Sequence, residues 1–182
     1  IICGWNLIYK NLTKYDTEFI PVDSEHFSIW FGLNKISSKN ISKIYLTASG
    51  GPFLNHSEKQ LKTVKISSAL KHPNWKMGKK ISIDSATMMN KIFEIIEARN
   101  IFKINLSKLS ILIHPMSYVH ALIEFKNGLS KIIAHDTTME IPIFNSIYSK
   151  KYKLLKSKSI NMKVMNNLQF SKINKRNFPV VK

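Results

Sequence analysis

Cysteine is nearly absent from this sequence, with Cys3 alone among 182 residues, and arginine is scarcely commoner, at Arg99 and Arg176. One thiol excludes a disulfide framework and a cysteine-based metal cluster. Two guanidinium groups leave little for bidentate phosphate clamping or the reading of base edges, which is mostly arginine chemistry. No apolar run approaches about eighteen residues, which excludes a membrane-spanning helix, and the opening residues lack the charged, apolar and small-residue order of a signal peptide. Carboxylates are scarce as well, with 11 acidic against 28 basic residues for a formal charge of +17.

What is abundant is apolar: 44% of the residues are hydrophobic and 10% aromatic, enough for one domain with a sizeable core and too much for a fibrous or wholly disordered chain. The positive charge attracts phosphorylated small molecules, anionic membrane or nucleic acid at long range. Lysine supplies 26 of the basic residues, beside 26 isoleucines and 16 asparagines, a mixture that an A+T-rich genome produces with no polyanion partner. A nucleic-acid partner is therefore weakly supported. The chain opens on Ile1-Ile2, and 1–14 reads as an amphipathic helix already in stride, as expected of a fragment or processed product.

Hydrophobic patterning predicts a short buried strand over 17–23 that delivers Asp23 to its carboxyl end, a helix over 28–33, and a strand over 44–47 followed by the sharp turn Ala48-Ser49-Gly50-Gly51-Pro52. Residues 57–68 read as a polar-faced helix or pair of turns, and 70–80 as a loop holding Pro73, Trp75 and Gly78. Ser82-Ile83-Asp84 reads as a short strand or entry, with Ser85 capping a helix over 86–100. A strand-turn-strand pair follows at 108–114 and 119–125, and Asn127-Gly128 predicts a hairpin to 129–135. The fold expected is α/β: a mixed, mostly antiparallel sheet with helices on one face and a flexible active-site flap. Residues 150–182, with ten basic groups and no acid, read as irregular surface structure with apolar anchors at Leu154, Met162, Phe170 and Phe178.

Four groups of residues could carry chemistry. Asp23 and Glu25, two apart at a strand end, would project to one side and share a hard cation, although the same tetrapeptide also reads as a solvated strand end. Asn90, Glu94 and Glu97 form one stripe of the helix and could complete an oxygen-only magnesium or manganese site, or simply face solvent. Ser49 with the two glycines, and Ser85, Asn90 and Lys91 at a helix start, supply hydroxyl, amide and ammonium donors suited to a phosphate. His72 and Trp75 sit in a loop that could close over a small-molecule site, Trp75 alternatively packing on its own domain. His114, His120 and His135 read as structural or surface histidines.

The runs Pro-Val-Asp-Ser-Glu-His (21–26), Ala-Ser-Gly-Gly-Pro-Phe (48–53) and His-Pro-Asn-Trp-Lys-Met-Gly-Lys-Lys-Ile-Ser-Ile-Asp-Ser-Ala-Thr-Met-Met-Asn-Lys (72–91), with Glu94 and Glu97, resemble the 1-deoxy-D-xylulose 5-phosphate reductoisomerase family. That resemblance implies Mg2+ or Mn2+ on Asp23, Glu25 and Glu94, with Glu97 beside them. It further implies substrate contact by Ser24, phosphate binding by Ser49, His72, Ser85, Asn90 and Lys91, and a flap over about 71–80 carrying Trp75 and Met77. NADPH would approach Ala48, Ser49, Met77 and Gly78, its main binding domain lying outside 1–182.

By resemblance, 1–149 is a central catalytic domain that dimerises through its sheet, and 150–182 is a connector toward a C-terminal helical domain. The chain alone is then expected to lack NADPH-dependent turnover. Its compartment would be bacterial cytoplasm or a plastid-type organelle. Ile92 and Phe93, where the family has glycine and leucine, Met116 for glutamine or glutamate, and Thr137-Thr138 for Pro-Asp depart from the pattern without removing a ligand. A degenerate, non-catalytic fragment is the alternative.

Overall fold

The computed structural model describes residues 1–34, 36–151, 153–156 and 159–181. In chain order the elements are α1 (Trp5–Lys14), α2 (Ser24–Leu33), β1 (Ile41–Ala48), α3 (Glu58–Leu61), α4 (Ile66–Ala69), α5 (Lys79–Ala86) and α6 (Met89–Phe102). There follow β2 (Leu109–Ile113), β3 (Val119–Phe125), β4 (Ser130–Ala134), α7 (Glu140–Ile147), α8 (Met162–Met165) and β5 (Ser171–Lys172). The five strands make one sheet in the order β4-β3-β1-β2-β5. Only β1 and β2 run parallel; the other pairs are antiparallel, as expected of the sheet as a whole.

Alternation along the strands decides which face is covered. Ile44 and Leu46 of β1, Ala121 and Ile123 of β3 and Leu109 of β2 point to one face, where Ile29 of α2 and Ala98 of α6 close the core. Each fully buried isoleucine here contributes about 1.5–3 kcal/mol over its exposed state. A Cβ on Gly32 would stand 2.6 Å from Ile123 Cδ1, so the absent side chain lets the end of α2 lie directly on β3.

Four local expectations are corrected. Residues 17–22 form no strand, because Pro21 and the flanking polar residues leave too short a run, and Asp23 is instead the N-cap of α2. The segment around Ser82-Ile83-Asp84 is helical, within α5, and the chain then breaks at Met88, which adopts a left-handed φ of 63° before α6 begins. Ser85 therefore lies near the end of one helix and does not cap the next. The strands at 109–113 and 119–125 are not neighbours: β1 lies between them and pairs with both. The hairpin at Asn127-Gly128 forms as expected, with Gly128 at φ 84°. In the tail Phe178 is buried and Phe170 stacks on His114, whereas Leu154 and Met162 are exposed and anchor nothing.

Candidate metal and phosphate site

The first turn of α2 supplies two acids. Asp23 keeps non-helical dihedrals (φ −60°, ψ 138°) and caps no backbone N–H; its carboxylate lies 3.0 Å from His26 Nδ1. The other ring nitrogen, Nε2, is 2.9 Å from the Glu94 carbonyl, which can only accept, so Nε2 carries a proton. Burial disfavours the charged ring, but Asp23 outweighs it, with the carbonyl and carboxylate of Glu94 adding, and the His26 pKa is pushed up to about 9. Glu25 accepts a 2.6 Å hydrogen bond from Ser24 Oγ. The extended N-cap followed by a helical turn brings both acids to one cavity, as the two-residue spacing suggested, through a different backbone.

The left-handed break at Met88 starts α6 beside them, and the expected stripe is present. Glu94 is buried, Asn90 Nδ2 donates to its Oε1, and Glu97 Oε2 lies 4.0 Å from His26 Nδ1. Asp23, Glu25 and Glu94 each offer a carboxylate oxygen within 4.8 Å of the others. Between two of these acids lies the Lys91 ammonium, 2.7 Å from Glu25 Oε1 and 2.6 Å from Glu94 Oε2. Both contacts are buried ion pairs, so Lys91 ties the two acids together.

The charges here are unbalanced. Burial alone would raise the Glu25 carboxyl; Lys91 foremost, then His120 and the Lys91 and Ser24 hydrogen bonds, hold it at about 2. Burial would also lower Lys91, but the two carboxylates keep its ammonium well above the ordinary lysine range. Glu94 is pushed well above the usual carboxylate range, by burial first and the Glu25 charge second, against the pull of Lys91. The cluster is short of positive charge. An ion held at about 2.1 Å spans roughly 4.2 Å between opposite oxygens, so this all-oxygen set fits magnesium or manganese after small side-chain rotations. The ammonium already standing between two of the acids supports that fit.

The opposite wall follows β1. Gly50 and Gly51 take φ of 92° and 65°, and the Gly51 N–H donates to Ser49 Oγ at 3.2 Å. His72 Nδ1 accepts from the Asn74 and Trp75 amides at 3.1 and 2.9 Å, which fixes the neutral ring as the Nε2–H tautomer, and Nε2 meets Ser49 Oγ at 3.0 Å. Burial, then Lys91, lowers the His72 pKa. Asn74 Nδ2 donates to the Pro115 carbonyl at 2.6 Å and to Ser117 Oγ at 2.7 Å, tying the loop down, while Trp75 meets His120 edge to face at 6.3 Å.

These walls enclose a cavity of about 320 Å³. Asp23, Ser24, Glu25, Ala48, Ser49 and His72 line it, as do Trp75, Met77, Ser85, Asn90, Lys91 and Glu94. Of the residues proposed from sequence, Gly51, Gly78 at the N-cap of α5, and Glu97 are outside its lining. Sequence reasoning missed Ser117, His120 and Met139, which also line it. His120 is buried against His135, ring centroids 3.7 Å apart. Only the antiparallel register of β3 on β1 places that histidine beside the end of β1, and a single sequence does not carry the register.

The model of the 1-deoxy-D-xylulose 5-phosphate reductoisomerase C-terminal domain matches residues 19–102. The protein of that name from Pelagibacter ubique is 62% identical over all 182 residues, and that from Aquifex aeolicus 36% over 181. The chain belongs to the 1-deoxy-D-xylulose 5-phosphate reductoisomerase family. It spans about half the length of these curated relatives, 47% of each. Among solved reductoisomerases, a complex with NADPH, fosmidomycin and magnesium superposes with a TM-score of 0.87 at 33% identity, covering 99% of this chain and 47% of that one. The Zymomonas mobilis enzyme in complex with NADPH superposes with a TM-score of 0.90 at 33% identity, covering 99% of this chain and 46% of that one.

The chain absorbs its departures from the family pattern locally. Ile92 packs on the cluster of Ala48, Met88, Ile111, Ile113 and Phe178, so its bulk is core and leaves Lys91 and Glu94 in place. The Thr138 hydroxyl accepts from the Glu140 N–H at 3.2 Å, taking up a free donor at the start of α7. Met116 is 38% exposed in the β2–β3 turn, and nothing in the structure explains its identity.

Proposed function

We propose that this chain supplies the metal and sugar-phosphate site of a reductoisomerase converting 1-deoxy-D-xylulose 5-phosphate to 2-C-methyl-D-erythritol 4-phosphate with NADPH. The observation that carries this reading is the meeting of three acid side chains within 4.8 Å on one side of a cavity whose other side holds Ser49 and His72. Asp23, Glu25 and Glu94 would hold magnesium or manganese. When bound, the ion supplies Lewis-acid polarisation of the substrate's carbonyl and neighbouring hydroxyl oxygens.

The chain's own side chains do the rest of the positioning. Ser49, Ser85, Asn90 and the His72 Nε2–H take the phosphate next to the start of α6, where the helix dipole favours an anion. Holding that remote group aligns the reacting carbons and draws binding energy into closure of the Trp75 loop. Trp75 and Met77 exclude water above the carbon chain, and Ala48, Ser49, Met77 and Gly78 lie on the side from which the nicotinamide would deliver hydride. We further propose a homodimer through the outer face of the sheet, where Tyr45, Leu122 and Ile132 stand in one register row and Ile132 is 50% exposed.

Electron paramagnetic resonance titration with Mn2+ tests the site without requiring turnover. One Mn2+ should bind per chain, with affinity lowered about 100-fold or more by Glu94→Gln or Asp23→Asn. Glu124→Gln, on β3 away from the cavity, should leave it unchanged. Equal affinity in all four proteins would overturn the assignment.

A further inference from the structure

We infer that Lys91 is the built-in counter-ion of the acid cluster, that a divalent metal enters by exchanging with its ammonium, and that metal and phosphate binding are thereby coupled. Lys91 is 6% exposed, and its Nζ contacts Glu25 Oε1 at 2.7 Å and Glu94 Oε2 at 2.6 Å. Those oxygens belong to two of the three carboxylates that converge on one point. An ion coordinated by both acids and the ammonium would press like charges together in a buried site, where little water screens them. One of the two must leave.

The ammonium brings one charge and reaches two of the three carboxylates, Glu94 Oε1 being satisfied separately by Asn90. A divalent metal ion brings two charges to the same acids and can take an oxygen from all three. The displaced ammonium cannot stay buried without an acceptor. Its flexible stem starts on the first turn of α6, on the cavity wall shared with Ser85 and His72, and His72 already feels its charge. A phosphate anion is the ligand class that would meet it there. Each ligand then prepares the site for the other, and by linkage the factor is the same in both directions. Resting on the metal-site reading above, this adds an order to it: metal occupancy releases the cation that the anion needs.

Two measurements on the 182-residue chain test the exchange. In wild-type protein labelled at lysine with nitrogen-15, the protected Lys91 ammonium signal should vanish or move to an exchanging position as Mg2+ is added. In Mn2+ titrations, Lys91→Met should bind the ion about tenfold more tightly than wild type, and inorganic phosphate should tighten wild-type binding about tenfold but Lys91→Met less than about twofold. A Lys91 signal unmoved at saturating Mg2+, or phosphate coupling that survives in Lys91→Met, overturns the exchange while leaving the metal site standing. Absence of Mn2+ and Mg2+ binding in the wild-type chain overturns both. If Lys91→Met does not fold, the wild-type ammonium signal decides alone.

Discussion

The two walls of the cavity are built in opposite ways. The acid wall stands on α2 and α6, whose inner residues Ile29 and Ala98 have no exposure at all, so its carboxylates inherit the rigidity of the core. The Trp75 wall is a loop from Leu70 to Gly78 with little buried area of its own, held by the Asn74 side chain and by amides converging on His72. The charges that the metal-site proposal needs at a fixed separation lie where packing is dense, and the loop proposed to close lies where a few hydrogen bonds decide its position.

Several changes would break or sharpen that contrast. Ile29→Ala should be the most damaging, costing about 2–5 kcal/mol in urea denaturation, since it opens a void beneath the acid wall. A loss below about 1 kcal/mol would mean that the wall does not depend on the core. Acid comes next, through His120. Burial lowers its pKa to about 4 from an ordinary 6.5, the Glu25 charge opposing only in part. Between those values the unfolded chain takes up a proton that the folded chain refuses, so stability falls as pH drops from 6.5 to 4, by on the order of 3 kcal/mol. Burial lowers His72, His114 and His135 in the same direction. Glu94, held well above the usual carboxylate range, works in the opposite direction, so the His120 share is the difference between wild type and His120→Phe, and a His120→Phe chain that loses as much would contradict it.

Asn74→Ala should reduce stability by only about 1 kcal/mol, yet amide hydrogen exchange across 72–78 should quicken several-fold while α6 stays protected. Quickening in both regions would show that the loop and the acid wall are one cooperative unit. Lys80→Ala is the smallest change: the lysine is 82% exposed, and its ion pair with Asp84 is worth less than about 1 kcal/mol.

Much of the site was readable because its chemistry is local. The Asn90-Glu94-Glu97 stripe follows from helical spacing, and the Asn127-Gly128 hairpin from turn chemistry. Asp23 and Glu25 were paired correctly from a wrong backbone, since both a strand end and a capped helix start bring such neighbours to one cavity. The order of the strands was not readable, because apolar alternation specifies a face and says nothing of which neighbour completes the ladder. For the same reason His120 could not be placed. Lys91 was read as a phosphate donor from its position in a motif; that its ammonium lies between two acids depends on the left-handed turn at Met88, which no propensity favours.

A methyl group on Gly51 would sit 3.0 Å from the Ser85 carbonyl oxygen and 3.2 Å from Ala86 Cα. The turn after β1 and the last turn of α5 therefore touch backbone to backbone, and the span between the Ser49 and Ser85 hydroxyls is gauged by a single hydrogen atom. Alanine at that position would act as a wedge, parting Ser49 from Ser85 before either serine itself had been altered.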